Sequence, residues 1–256
     1  YEGIENGFED SIRKNAEDLP KRFDLYKEIR DLKTIKLTDM ARGVMMLTAM
    51  GIDASNLEQY KINGEPFKTG NGVETVDLTD NIYNYSRDSG TVNDFIFGLI
   101  ALDMGNYSVP DNARYTRENL LDIILDHKYG TDDFGIDMVA MLMQSLYPYR
   151  NDPAYGERVR DKLDEGLDII LGHKTAPGVE SMRDDYMFEA WGDINSESAD
   201  QVIIALCSMG IDPYSDERFS RGSEDNLIYN VIDKFVTRNM DGFGHDSNGY
   251  NFMATY

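Results

Sequence analysis

Carboxylates and amides collect in the stretches that lead into apolar segments. Four stretches stand out: Ser86 to Asn93, Gly130 to Asp137, Trp191 to Glu197, and Asp241 to Asn251. All but the first also hold an aromatic residue. The side chains that could receive a ligand are Asp133, Asp137, Trp191, Glu197, Phe243, His245 and Asn251, with Asp200 one turn into the segment after Glu197. Two kinds of chemistry fit such a set. A pair of carboxylates at a defined separation can do acid–base work on a glycosidic bond, with Asp133, Asp137, Glu197 and Asp200 as the candidates. Alternatively, acids, amides and aromatics together form a mouth that binds a neutral or cationic ligand without chemistry. Against both stands a structural reading, in which acids near helix N-termini cap the helix and complement its dipole.

Other reactive groups are sparse. His245 lies in Asp241-Gly242-Phe243-Gly244-His245-Asp246, where it is either an acid/base, metal or corrinoid ligand, or a loop histidine bonded to backbone. His127 and His173 fall at the ends of expected helices, where a cation complements the C-terminal dipole. Cys207 lies within an apolar segment and is expected in the core. As the single cysteine of the chain, it excludes an internal disulfide and any multi-cysteine zinc cluster. Asp246-Ser247-Asn248-Gly249 lacks the twelfth-position glutamate of a calcium loop and reads as a turn. No Gly-x-Ser-x-Gly elbow or phosphate-cradling loop is present, and nothing singles out a Ser-His-Asp set. No cofactor or metal is implied. With 47 acidic and 25 basic residues the chain carries a net charge of −22, which argues against nucleic acid and anionic membranes as partners. No apolar run approaches the ~18–20 residues of a membrane span, so no membrane insertion is expected.

Helices must position these groups. Apolar residues recur at three- and four-residue steps rather than in alternation. Segments Ala41–Asp53, Phe95–Gly105, Ile136–Tyr147 and Ala199–Pro213 share the pattern, and the first and last carry Met-Gly-Ile-Asp, where a glycine ends a helix cheaply. A second helix follows each. Leu121-Asp122-Ile123-Ile124-Leu125-Asp126-His127-Lys128 matches Leu167-Asp168-Ile169-Ile170-Leu171-Gly172-His173-Lys174 at all positions but one, at an offset of 167 − 121 = 46. Leu227–Phe235 and Leu78–Tyr85 are weaker copies. This is an irregular helical-hairpin repeat. Further expectations are a helix over Phe8–Asp24 broken at Pro20, a loop over Asn63–Gly72, and Asp152-Pro153 as an N-cap with proline in the first turn. Val202–Met209 is apolar nearly all round, which predicts burial on every side, with Val202, Ile203, Leu206 and Met209 tightly packed. Asn226–Arg238 and Pro153–Gly172 are amphipathic. No long linker divides residues 1–256, so a single domain is expected, with inner helices inside an outer ring or stacked as an open solenoid.

The stretches Asn195-Ser196-Glu197-Ser198-Ala199-Asp200-Gln201-Val202 through Leu206, Met209-Gly210-Ile211-Asp212-Pro213, Asp241 to His245, and Asn251-Phe252-Met253-Ala254-Thr255-Tyr256 resemble the terpenoid cyclase/protein prenyltransferase α/α-toroid superfamily, in its bacterial cell-surface branch. Transcobalamin-like proteins share that fold. The resemblance implies an all-α toroid of inner and outer helices, incomplete at the C-terminus, whose inner-helix loops gather at one mouth. It also implies a secreted or wall-attached origin; the sequence opens with Tyr1-Glu2-Gly3 and shows no basic-then-apolar leader, so the expectation is that an export signal either never existed or is missing from this chain. The catalytic sets of the superfamily are missing. There is no Asp-x-Asp-Asp acid, Asp132-Asp133-Phe134-Gly135-Ile136-Asp137 is one residue too long for Asp-Asp-x-x-Asp, and Asp184-Asp185-Tyr186-Met187-Phe188-Glu189 also departs from that pattern. Trp191 is the single tryptophan for stabilising a cation, and Cys207 lacks an aspartate two residues before it. The expected function is therefore a non-catalytic binding module for a neutral or cationic small molecule, glycan or protein. An α/α-barrel enzyme acting on carbohydrate is the alternative, and a corrinoid-binding protein the third.

Overall fold

A computed structural model describes residues 36–57, 61–62, 65–66, 77–85, 90–131, 134–238, 240, 242–246, 249–251 and 254. The expected helix over Phe8–Asp24 and Asp133 lie outside them. The described residues are mostly helical, with eight α-helices and three two-stranded antiparallel hairpins. Contacts divide the chain into two compact units, Tyr1–Asp122 and Ile123–Tyr256.

In the first unit, α1 (Leu37–Ala49) packs mainly on α3 (Val92–Met104), with the short α2 (Asp80–Tyr83) beside α1. α1 buries Leu37, Met40, Ala41, Val44 and Leu47, one stripe at helical spacing. α3 starts at a reciprocal capping box, Thr91 with Asp94, and buries Phe95, Ile96, Leu99 and Leu102. Gly51 ends α1 at φ +75°, as Met-Gly-Ile-Asp predicts. After α3 the left-handed residue is Asn106 (φ 49°) rather than Gly105, whose missing side chain instead admits the Tyr107 ring. The Tyr107 hydroxyl then lies 2.7 Å from Thr48 Oγ1 and accepts from Ala54 N at 3.0 Å, tying the two helix ends together. Within the expected loop 63–72, Glu65–Pro66 (β2) pairs with Lys61–Ile62 (β1), and the rest of that stretch lies outside the described residues. The division between the units falls inside α4 (Arg117–Asp126).

The second unit is built around α5 (Ile136–Leu146), which buries every residue except the partly covered Gln144. α5 packs against α6 (Gly156–Ile170) and α7 (Ser196–Ser208), and α8 (Leu227–Phe235) packs on α7. α6 and α8 are amphipathic as expected. α6 buries Val159, Leu163, Ile169 and Ile170 while α8 buries Leu227, Val231 and Phe235. α7 corrects an expectation. Val202 and Leu206 are fully buried, but Ile204 is 50% exposed and Cys207 is exposed too, with Ile203 and Met209 partly covered. Val202–Met209 is apolar nearly all round, yet the second unit covers only the face turned to α5 and α8. The helix buried on all sides is α5.

Pro148 ends α5 in a 3-10 turn (Tyr147–Tyr149). Asp152 caps earlier than expected. Its Oδ1 accepts from Ala154 N and Tyr155 N, closing the turn ahead of α6 rather than the helix itself. The near-identical repeats form the ends of α4 and α6. They diverge at the one position where they differ: α4 runs to Asp126, whereas Gly172 takes φ +76° and α6 stops at Ile170. Two further hairpins lead into helices. Glu189–Ala190 (β3) with Asp193–Ile194 (β4) precedes α7, and Ser220–Gly222 (β5) with Asp225–Asn226 (β6) precedes α8. Strands of two or three residues are too short to show alternation, which is why sequence periodicity misses them.

Candidate functional site

Four of the expected residues come together in the second unit. Asp137 is in the first turn of α5, Glu197 and Asp200 lie one turn apart on α7, and His245 is on the loop after α8. That loop is pinned to the start of α7. Ser196 N donates to the His245 carbonyl (3.1 Å), and the Ser196 hydroxyl donates to the Gly244 carbonyl (2.9 Å) while lying 3.1 Å from Glu197 Oε2. Gly244 N donates to the Phe235 carbonyl at 2.7 Å. Gly244 is held between backbone atoms of Asp246 and Gly249 so closely that any Cβ would collide with them. The Gly-His pair is thus a positioning device for His245 Nδ1, which sits 2.8 Å from Glu197 Oε2. Glu197 accepts, so Nδ1 carries the hydrogen.

The acids do not cap their helices. Asn195 is the N-cap of α7, its side chain accepting from Ser198 N at 2.9 Å, and Gly135 is the N-cap of α5. The structural reading of these acids is thereby reduced to their interaction with the helix dipoles. Asp137 is 8% exposed and Ser198 is fully buried, and the Ser198 hydroxyl faces the Asp137 carboxyl. Neither Asp137 Oδ1 nor Ser198 Oγ makes a hydrogen bond to any other described group. Burial pushes the Asp137 carboxyl above the ordinary carboxylate range, and the Glu197 charge adds to the push, while the Ser198 hydroxyl nearby acts in the opposite direction. Burial first, and repulsion by Glu197 second, raise Asp200 to about 6. Among the described residues, His245 is the only basic side chain paired with any of these acids. No group of three described histidine, cysteine or acidic side chains is arranged to hold a metal ion.

The remaining expected residues lie around this group. Phe243 and Asn251 belong to the same loop, Asn251 N donating to the Phe243 carbonyl at 2.9 Å. Trp191 is at the tip of the β3–β4 hairpin and is 67% exposed. It forms a two-residue turn with Gly192 in which both residues have positive φ (55° and 89°), the geometry that favours Asn-Gly. A bulky residue there is strained. Beside this hairpin a cleft of about 480 Å³ is lined by Arg183, Glu189, Asp193, Lys234 and Asp246. Sequence reasoning missed Ser198 and the hairpin cleft. The signal for Asp137 was present, an acid in a helix otherwise nearly all apolar, but its pairing with Ser198 across 61 positions (198 − 137) needs the fold. His127 and His173 fall just past α4 and α6. The His127 carbonyl accepts from Lys162 Nζ, and His173 Nδ1 lies 3.5 Å from Asp168.

No family model, curated protein or solved structure matches this chain. Among the described residues no helix is long and apolar enough to cross a membrane.

Proposed function

We propose that the chain is a non-catalytic extracellular binding module of a bacterial surface protein, a single domain on an α/α toroid. Its ligand is a neutral or cationic small molecule, glycan or protein group received at Asp137, Glu197, Asp200 and His245. The observation that carries this reading is the Glu197–His245 pair, held at 2.8 Å and partly open to solvent beside the buried Asp137 and the half-buried Asp200. The loop that carries His245 is fixed to the start of the helix that carries Glu197 by Ser196. The toroid is supported by the alternation of α5, buried all round, with the amphipathic α6 and α8.

The test is a binding screen by isothermal titration and glycan array, repeated with Asp137→Asn and Glu197→Gln. A true ligand loses affinity by about tenfold or more in both variants, the equivalent of one charge-assisted hydrogen bond. Ligands that bind both variants as tightly as the parent chain refute the assignment.

One observation favours a second reading, a carbohydrate-active hydrolase or lyase. Asp200 lies one turn from Glu197 and is raised to about 6 by burial and by the Glu197 charge, so it takes up a proton in mildly acidic solution, where it could serve as an acid beside a second carboxyl. Polysaccharide cleavage abolished by both Asp200→Asn and Glu197→Gln would establish it, and no cleavage across a broad polysaccharide panel would dismiss it.

A further inference from the structure

We infer that the cleft beside the β3–β4 hairpin binds a neutral oligosaccharide, with one sugar ring among its charged side chains and the next against Trp191 at the rim. This stands apart from the reading of Asp137, Glu197, Asp200 and His245, and either can fail without the other.

Three features argue for a sugar. First, size and lining fit. About 480 Å³ lies within the range of small-molecule sites and admits a sugar ring. Arg183 and Lys234 share this lining with Glu189, Asp193 and Asp246, so donors and acceptors meet there with their charges nearly balanced. A sugar hydroxyl both donates and accepts, and so answers either kind. Second, the two bases are committed. Arg183 Nε donates to Asp185 Oδ1 at 3.2 Å, and Lys234 Nζ donates to Asp185 Oδ2 at 3.1 Å. Asp185 is itself anchored to α8, its carbonyl accepting from Asn230 Nδ2 at 3.0 Å. An anionic ligand must compete with Asp185 for both cations while three carboxyls repel it, whereas a neutral one leaves these pairs in place. The Arg183 guanidinium also stands 3.6 Å from Glu189 Oε2, too far for a hydrogen bond. A donor and an acceptor thus lie side by side without being spent on each other, and one hydroxyl can satisfy both. Third, the rim carries an aromatic surface. Glu189 and Gly192 line the cleft, and Trp191 lies between them in the chain, 67% exposed. Its left-handed backbone carries strain that asparagine would avoid, and the fold covers little of the indole in exchange. The C–H face of a sugar ring is apolar and packs flat on such a surface, while its hydroxyl edge needs the polar partners that the cleft supplies. A protein partner anchored on the indole would call for an apolar surround, and the cleft next to it is charged.

Trp191 is the single tryptophan of the chain, so intrinsic fluorescence reports on this place directly. The whole chain is titrated with cellotetraose, mannotetraose, xylotetraose, maltotetraose and chitotetraose, and with tetragalacturonate as the anionic counterpart. At least one neutral tetrasaccharide is expected to shift the emission and to protect the indole from acrylamide quenching. The same sugar should bind at least about tenfold more tightly than tetragalacturonate. By isothermal titration its affinity should fall by about tenfold or more in Trp191→Asn and in Glu189→Gln. Trp191→Phe, which keeps a ring, should lie between the parent and Trp191→Asn. Circular dichroism checks that each variant folds. Absence of binding by every neutral tetrasaccharide at about 10 mM, tenfold above a millimolar dissociation constant, overturns the proposal. Parent-like affinity in both Trp191→Asn and Glu189→Gln overturns it too, and if Glu197→Gln then abolishes that binding the sugar belongs to the Glu197–His245 group instead. Tighter binding of tetragalacturonate than of any neutral sugar overturns the assignment of a neutral ligand.

Discussion

Replacing Asp200 with asparagine should stabilise the protein near neutral pH and leave it unchanged in mild acid. Asp200 is half-buried on α7, and burial together with the Glu197 charge raises its carboxyl from an ordinary 3.8 to about 6. The folded chain therefore keeps a proton that the unfolded chain has released between about pH 4 and pH 6. Where the unfolded state binds fewer protons, stability falls as pH rises, and above the folded value the loss is complete. At about 1.4 kcal/mol per pH unit the ceiling is about 3 kcal/mol. Solvent around a half-buried group screens the interaction and reduces it to about 1 kcal/mol. Asparagine mimics the protonated acid and escapes this penalty. Urea unfolding followed by circular dichroism should show Asp200→Asn more stable than the parent by about 1 kcal/mol at about pH 7.5 and equal to it at about pH 4, with an unchanged denaturant slope. Glu197→Gln should shift the Asp200 titration, followed by carboxyl NMR, downward from about 6 but not back to 3.8, because burial is the larger cause. A variant that is no more stable at neutral pH, or gains equally at both, would refute this account of the site's electrostatics.

Three more outcomes test the placement of α7 and its hairpin. Leu206→Ala should cost about 2–5 kcal/mol, whereas Ile204→Ala, two positions away but half exposed, should cost less than about 1 kcal/mol; equal losses in urea titrations would show the burial face is misassigned. Cys207 should react with a thiol-specific chromogenic reagent in native buffer at one equivalent per chain, because it is exposed; a thiol that reacts only in denaturant would place it in the core. Trp191→Asn should leave stability unchanged or raise it by about 1 kcal/mol, since asparagine accepts the left-handed turn that the indole resists, and a loss above about 1 kcal/mol would mean that indole packing outweighs the strain.

Helices were the most legible part of this chain. The three- and four-residue apolar steps mark α1, α3, α5, α7 and α8, and the 46-residue echo marks the ends of α4 and α6, because helical burial writes its period directly into the residue order. Burial was less legible. The Val202–Met209 half of α7 is about as apolar as α5, yet α5 is enclosed and α7 shows Ile204 and Cys207 to solvent. Enclosure depends on which neighbours arrive from elsewhere, and composition is silent on that. The acids and His245 could be picked out by type. Their partnerships could not: Glu197 meets His245 across 48 positions through Gly244, and Asp137 meets Ser198, a residue to which the sequence assigns no role of its own.

Asn195 and Asn226 are each buried where a hairpin becomes a helix. In both, the side-chain oxygen holds an amide of the first helical turn, and the side-chain nitrogen holds a carbonyl of the preceding hairpin, that of Asp193 or Gly222. Helix ends ordinarily fray because their first amides lack partners. Here fraying would have to unfasten the hairpin in the same event. Slow amide exchange should therefore reach back to the opening residues of α7 and α8, and strand pair and helix should exchange as one cooperative block. A floppy rim would hold His245 loosely, whereas these two amide rivets keep the ground beneath it stiff.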